Sequence, residues 1–296
     1  MRAGQRVVIG SLRLAYAVGM AAAVLSACAR PAGPDPTGPV LFPFGQTATW
    51  WQPAPGTTWQ WQLTGAIDVS VDAEMFDVDL FETPQAVIEG LHAADRVVIC
   101  YFSAGSREDW RPDAAAFPAE ALGVPLDGWP GERWLDIRRL EALGPVMTAR
   151  LDLAVSKGCD GVEPDNVDGY ANETGFALSS EDQRIFNTWL ATEAHARGLS
   201  IGLKNDLDQV EALLPYFDWA LNEECFRYDE CERLLPFIAA GKAVFGVEYD
   251  GDPAEFCPRA NGMNFDWLFK NLELDAWRIS CRDEVASLLA AGVLLW

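Results

Sequence analysis

From about residue 58 onward, short runs rich in β-branched and aromatic residues alternate with helix-like segments that close near glycine. This rhythm restricts the fold more than any other feature. Strand and helix repeated in one chain place the strands side by side and parallel, because each helix is a crossover that returns the chain to the same end. The candidate strands are "TWQWQL", "MFDVDL", "VVICYF", "RWLDI", "CDGVEP", "SIGLKN", "WALNEE" and "AVFGVEY". Eight such units in roughly 250 residues predict a single α/β domain closed as a (β/α)8 TIM barrel, in preference to an open doubly wound sheet. A further segment, "LDAWRISCR", is a surplus strand candidate. Ser180 with Gln183 reads as a capping box opening a helix that closes at Gly198, and Pro145 as the first turn of one ending at Gly158.

The barrel is expected over residues 48–296. Ahead of it, Arg2, Arg6 and Arg13 precede a short apolar run ending in Leu25, Ser26, Ala27 and Cys28. That is the pattern of a signal peptide over residues 1–27, with ordinary cleavage nearby as the simpler reading. The last four residues resemble a bacterial lipobox, which implies a lipid on Cys28 and a protein exported and anchored to the bacterial membrane. Residues 28–47, rich in Pro and Gly, then read as a flexible tether. Six cysteines remain: Cys100, Cys159, Cys225, Cys231, Cys257 and Cys281. In an exported chain an even set suggests disulfides. Cys225 and Cys231 are close enough to staple one loop, and the other four have several possible pairings. Zinc is the alternative, but there is no CxxC and only two histidines.

Those histidines, His92 and His195, fall late in helix-like segments, which removes a histidine metal centre and a Ser/His/Asp triad. No P-loop or GxGxxG follows a strand. What remains is carboxylate chemistry. Asp77 and Asp79, Asp136, Glu163 and Asp165, Glu223 and Glu224, and Glu248 all stand at the ends of candidate strands. In a barrel those ends converge on the face where active sites lie. Crowded carboxyls there cannot all ionise alike, and one proton donor beside one ionised carboxylate is the apparatus of glycoside hydrolysis. Calcium on Asp165, Asn166 and Asp168 is the rival, without the spacing of an EF-hand. No cofactor and no metal are expected.

The motifs "VICYFSAG", "WLDIR", "GCDGVEPDNVDGY", "GLKND", "NEECF" and "GVEY", in that order, resemble glycoside hydrolase family 114, from about residue 48 to 285. The resemblance implies a barrel enzyme of the endo-α-1,4-polygalactosaminidase type that cuts within chains of α-1,4-linked, partly deacetylated galactosamine with retention of configuration. It assigns Asp165, in "EPDN", as nucleophile and Glu223, in "NEEC", as acid/base. Asp77, Asp79, Tyr101, Asp168, Lys204 and Glu248 are expected to line the subsites. Residue alternation alone does not separate Glu223 from Glu224, or Asp165 from Glu163.

The chain has 22 basic and 44 acidic residues, a formal charge of −22; removing residues 1–27 would leave about −25. Such a charge repels nucleic acid and anionic lipid, so contact with a membrane is expected through the lipid alone, and it attracts a cationic galactosamine polysaccharide. Solubility accounts for the charge equally well. A monomer is expected. The competing functions are a non-catalytic surface lipoprotein that binds a cationic polysaccharide and an α-glycosidase of other substrate.

Overall fold

The computed structural model describes residues 50–283. The expected signal peptide, Cys28 and the tether lie outside them. The described chain builds strands β1 (Trp59–Gln62), β2 (Met75–Asp79), β3 (Val97–Ser103), β4 (Ser106–Glu108), β5 (Leu122–Pro125), β6 (Glu132–Leu135), β7 (Gly161–Asp165), β8 (Ser200–Lys204), β9 (Trp219–Glu223), β10 (Val244–Glu248), β11 (Asp266–Lys270) and β12 (Arg278–Ser280). Its helices are α1 (Gln85–His92), α2 (Leu140–Lys157), α3 (Ser180–His195), α4 (Val210–Leu213), α5 (Leu235–Ala239) and α6 (Pro253–Gly262).

Nine strands form one sheet in the order β1-β2-β3-β7-β8-β9-β10-β11-β12, parallel up to β11 and antiparallel at β12. The sheet curls until its edges nearly meet, a TIM-barrel-like fold. Across the remaining gap Gln60 donates to the carbonyl of Ala276 at 2.9 Å, and Arg278 of β12 donates to the carbonyl of Trp59.

Two strand expectations are corrected. "RWLDI" is not a barrel strand: it is β6, the centre of a separate antiparallel sheet, β4-β6-β5, inserted after β3. The barrel strand that replaces it is β11, "DWLFK". The surplus candidate contains β12, the antiparallel closer. Helix starts also shift. The capping box of α3 is Ser179 with Asp182, and α2 begins five residues before Pro145, which sits within it.

Alternation along the strands divides the apolar residues into two cores. Trp59, Trp61, Met75, Ile99, Trp219, Leu221, Phe245, Val247 and Leu268 fill the barrel interior. Phe76, Val78, Val98, Phe102, Val162, Ala220 and Trp267 face outward and pack under the helices. Gly202 points inward, where an added Cβ would come within 2.3 Å of the Trp219 ring. That ring cannot retreat, because it is fully buried, lies edge-on to Phe245 at 5.6 Å, and donates to Ser200 at 3.1 Å. Gly202→Ala should therefore destabilise the fold by roughly 1–3 kcal/mol, read as a lower denaturant midpoint with unchanged slope. An unmoved midpoint would show that the barrel interior can yield.

Three disulfides settle the cysteine pairing: Cys225–Cys231, as the short spacing suggests, with Cys100–Cys159 and Cys257–Cys281. Cys100 faces outward from β3 and holds the residue that leads into β7, its neighbour in the sheet.

Candidate active site

Above the apolar floor, the inward positions at the carboxyl ends of the strands turn polar. Lys204, the last residue of β8, is 2 % exposed, and its ammonium meets Glu163 at 2.9 Å, Asp165 at 3.1 Å and Glu223 at 3.2 Å. The Trp61 ring supports it from 4.6 Å. Burial opposes the charge on Lys204, but the three carboxylates outweigh burial and push its pKa well up. It is therefore a fixed cation.

The carboxylates around it are not equivalent. The Glu163 side chain is fully buried, held by the Trp61 indole at 3.1 Å, and burial pushes its pKa up to about 7. Asp165 and Glu223 have side chains 20 % and 27 % exposed and reach a cavity of about 810 Å³. Asp165 accepts from the Tyr101 hydroxyl at 3.1 Å and from the Asn166 amide at 2.8 Å. Glu223 accepts from Asn205 at 3.3 Å and from the Tyr249 hydroxyl. Because one oxygen of each touches the same ammonium, at 3.1 and 3.2 Å, these two oxygens lie no farther apart than the sum, about 6.3 Å. Glu224, with backbone φ of 61°, also borders the cavity but makes no contact with Lys204 and pairs instead with Arg227 at 2.7 Å. The arrangement presents two carboxyls to one cavity across a buried positive charge.

The model of glycoside-hydrolase family GH114 matches residues 43–286. The chain belongs to this family. GH114 membership makes it a glycoside hydrolase. It is similar to the crystal structure of Aspergillus fumigatus Ega3 in complex with galactosamine, at 44% identity and a TM-score of 0.76, over 80% of this chain and 99% of that one. The glycoside hydrolase domain of PelA from Pseudomonas aeruginosa shares the fold at 13% identity and a TM-score of 0.60, over 76% of this chain and 98% of that one. An uncharacterised protein of Deinococcus radiodurans is 28% identical over 78% of this chain and 87% of its own length.

Not every residue expected at the subsites of this GH114 chain reaches the cavity. Tyr101, Lys204, Asp79 and Asp168 line it. Asp79 is 5 % exposed and committed to Arg111, which it grips at 2.6 and 2.9 Å. Asp168 is pushed up to about 6, by burial first and then by the charge of Asp165. Asp77 is fully buried one layer below, against Glu163, without access to a ligand; burial and then that neighbour's charge push its pKa well up. Glu248 points outward, accepts from the Phe226 amide at 3.0 Å, and lines a different cleft beside α6. Strand parity explains this: Val247 and Tyr249 face inward, so Glu248 between them cannot. Both histidines make structural contacts, His92 with Asp160 and His195 with Asp218, each at 2.9 Å.

The inserted sheet supplies residues that the sequence reading passed over: Glu108, Trp110, Arg111, Trp129, Glu132 and Trp134 form one wall of the cavity. The "DGWPGE" stretch carried the turn signal for this insertion, since Gly and Pro so close together mark a hairpin rather than a barrel crossover.

Asp206 lies behind the site, 4 % exposed, accepting from Asn187 at 3.0 Å. Burial, with the charge of Asp168, pushes it from 3.8 up to about 8. The folded protein thus keeps a proton that the unfolded chain releases between those values. The resulting stabilisation is complete below about pH 3.8 and is lost as pH rises to about 8. Asp206→Asn removes this dependence, so chemical denaturation at pH 5 and pH 8 should show the variant gaining most over wild type at pH 8. A gain that is larger at pH 5 would reverse the assignment. Asn is tolerated at the left-handed φ of 45° found there.

Proposed function

We propose that this protein is an endo-acting hydrolase of α-1,4-linked, partly deacetylated galactosamine polymers, working by retention, with Asp165 as nucleophile and Glu223 as acid/base. The observation that carries the reading is the placement of these two carboxyls, alone among the three around Lys204, at the cavity surface. The two oxygens that share the Lys204 ammonium lie within about 6.3 Å of each other, which accommodates the roughly 5–5.5 Å separation of a retaining pair. The 44% identity to a protein solved with galactosamine supports the sugar.

In this mechanism Glu223 gives its proton to the glycosidic oxygen as an Asp165 oxygen attacks the anomeric carbon. The bond to the leaving sugar breaks with its electron pair on the protonated oxygen, and a glycosyl ester of Asp165 remains. Glu223, now ionised, takes a proton from water as that water attacks the same carbon and frees Asp165. Tyr101, Lys204 and the Asn166 amide each donate to Asp165 and so fix the carboxylate's orientation at the cavity surface. The chain's charge of −22 draws a polyamine sugar toward the mouth, more strongly at low salt. The three disulfides fit an exported protein, and Cys28 is the proposed site of its lipid.

The test is product analysis on a defined galactosamine oligomer. Internal cleavage with an α-anomer released first supports the reading; a β-anomer would overturn the nucleophile role of Asp165, and no new reducing ends would overturn the substrate.

A further inference from the structure

We infer that Trp110 and Trp129, at the tip of the inserted sheet, form a stacking platform for a sugar residue remote from the bond that is cut. The inference rests on the endo-acting reading above. Trp110 is 50% and Trp129 51% exposed, yet both line the same cavity as Asp165 and Glu223. Among the described residues neither indole stacks on another ring or carries a cation, whereas the exposed Trp277 is packed against Phe269 at 5.7 Å. Exposed apolar faces grouped at the rim of a cavity mark a surface for a ligand.

The backbone beneath the platform is shaped to hold the rings. β4 and β6 pair Glu108 with Glu132, which puts Asp109 opposite Gly131 just beyond the ladder, where the Asp109 amide donates to the Gly131 carbonyl at 3.1 Å, and Trp110 follows directly. Gly131 has φ of 96°, and a Cβ there would sit 2.9 Å from the Trp110 ring, so the missing side chain is what lets that indole lie against the strand end. Trp129 stands on a turn closed on both sides: its amide donates to Leu126 at 3.3 Å, and its carbonyl accepts from the Glu132 amide at 3.1 Å. These main-chain constraints fix where the two indoles are attached at the cavity rim.

The occupant is a pyranose ring of the same polymer. A ring with an axial hydroxyl has one face made largely of C–H groups, which suits an indole face. At about 810 Å³ the cavity lies near the top of the roughly 300–1,000 Å³ range of sites that enclose drug-sized ligands, room for more than one sugar. The reacting carboxyls account for the sugars at the cut; the platform accounts for the far wall.

The experiment compares kcat/KM on long polymer with that on the shortest oligomer the wild type cleaves. Trp110→Ala and Trp129→Ala should each reduce this preference for polymer by roughly threefold to tenfold, and the double variant by about the product. Trp129→Phe should retain most of it, and Trp277→Ala, outside the cavity, all of it. An unchanged ratio in the alanine variants, or a Phe variant as impaired as Ala, overturns the platform. If the wild type leaves galactosamine polymer intact, the substrate reading fails by itself. The same ratio is then measured on whichever glycan it cleaves.

Discussion

Asp165→Asn should lower kcat on galactosamine polymer by at least about 10⁴-fold, whatever leaving group the substrate carries, because no covalent intermediate can then form. Glu223→Gln should behave differently. Its loss, on the order of 10²- to 10⁴-fold on polymer, should shrink on a substrate whose leaving group departs without a proton, since bond cleavage no longer needs the acid. Counting reducing ends and following an activated aryl glycoside separate the two roles. If the two variants lose activity in parallel on both substrates, the assignment of nucleophile and acid is wrong. If Glu224→Gln or Glu163→Gln is the variant that shows leaving-group dependence, the geometry around Lys204 has been misread.

The second large effect concerns Lys204. It is buried and faces three carboxylates, so Lys204→Met leaves negative charge uncompensated in the barrel. Breaking a buried ion pair from one side costs about 3–5 kcal/mol. In a domain of this size that lowers the melting midpoint by roughly 10 °C. The sign of the pH dependence follows from Glu163, which burial pushes up to about 7 while Lys204 draws it down. Without Lys204, Glu163 can take a proton as pH falls and shed the unpaired charge. The loss of stability should be greatest at pH 8 and smaller at pH 5, and the acidic limb of the activity profile should move to higher pH. Equal melting midpoints for variant and wild type at pH 8 would mean that the ammonium is not the counter-charge the geometry makes it.

Much of this was legible in the sequence, for identifiable reasons. Asp165, Lys204 and Glu223 end short β-rich runs set between helical segments, so their position at the barrel mouth follows from the order of strand and helix. Parity alone could also have set Glu248 aside, because Val247 before it is an inner-core residue. "RWLDI" misled because a short β-rich run looks the same in any sheet; only its antiparallel partners, far along the chain, show which sheet it joins. "DWLFK" follows a helix, α6, that contains Pro258, which weakens the helical signal that would have marked another strand after it. The inserted wall was hardest to see: Glu108 and Trp110 come near Glu132 and Trp129 through a ladder set by pairing, which no local spacing encodes.

Building one wall of the cavity from an insertion has a consequence for wear. Cys100 and Cys159, 59 residues apart, close a covalent loop that contains the whole of the inserted sheet and α2. A protease that cuts once inside this loop opens a peptide bond but frees no fragment. Both new ends stay fastened to adjacent barrel strands. The nicked molecule keeps its wall within reach of the mouth and migrates as a single chain until the disulfide is reduced, so damage to the insertion is confined to one break.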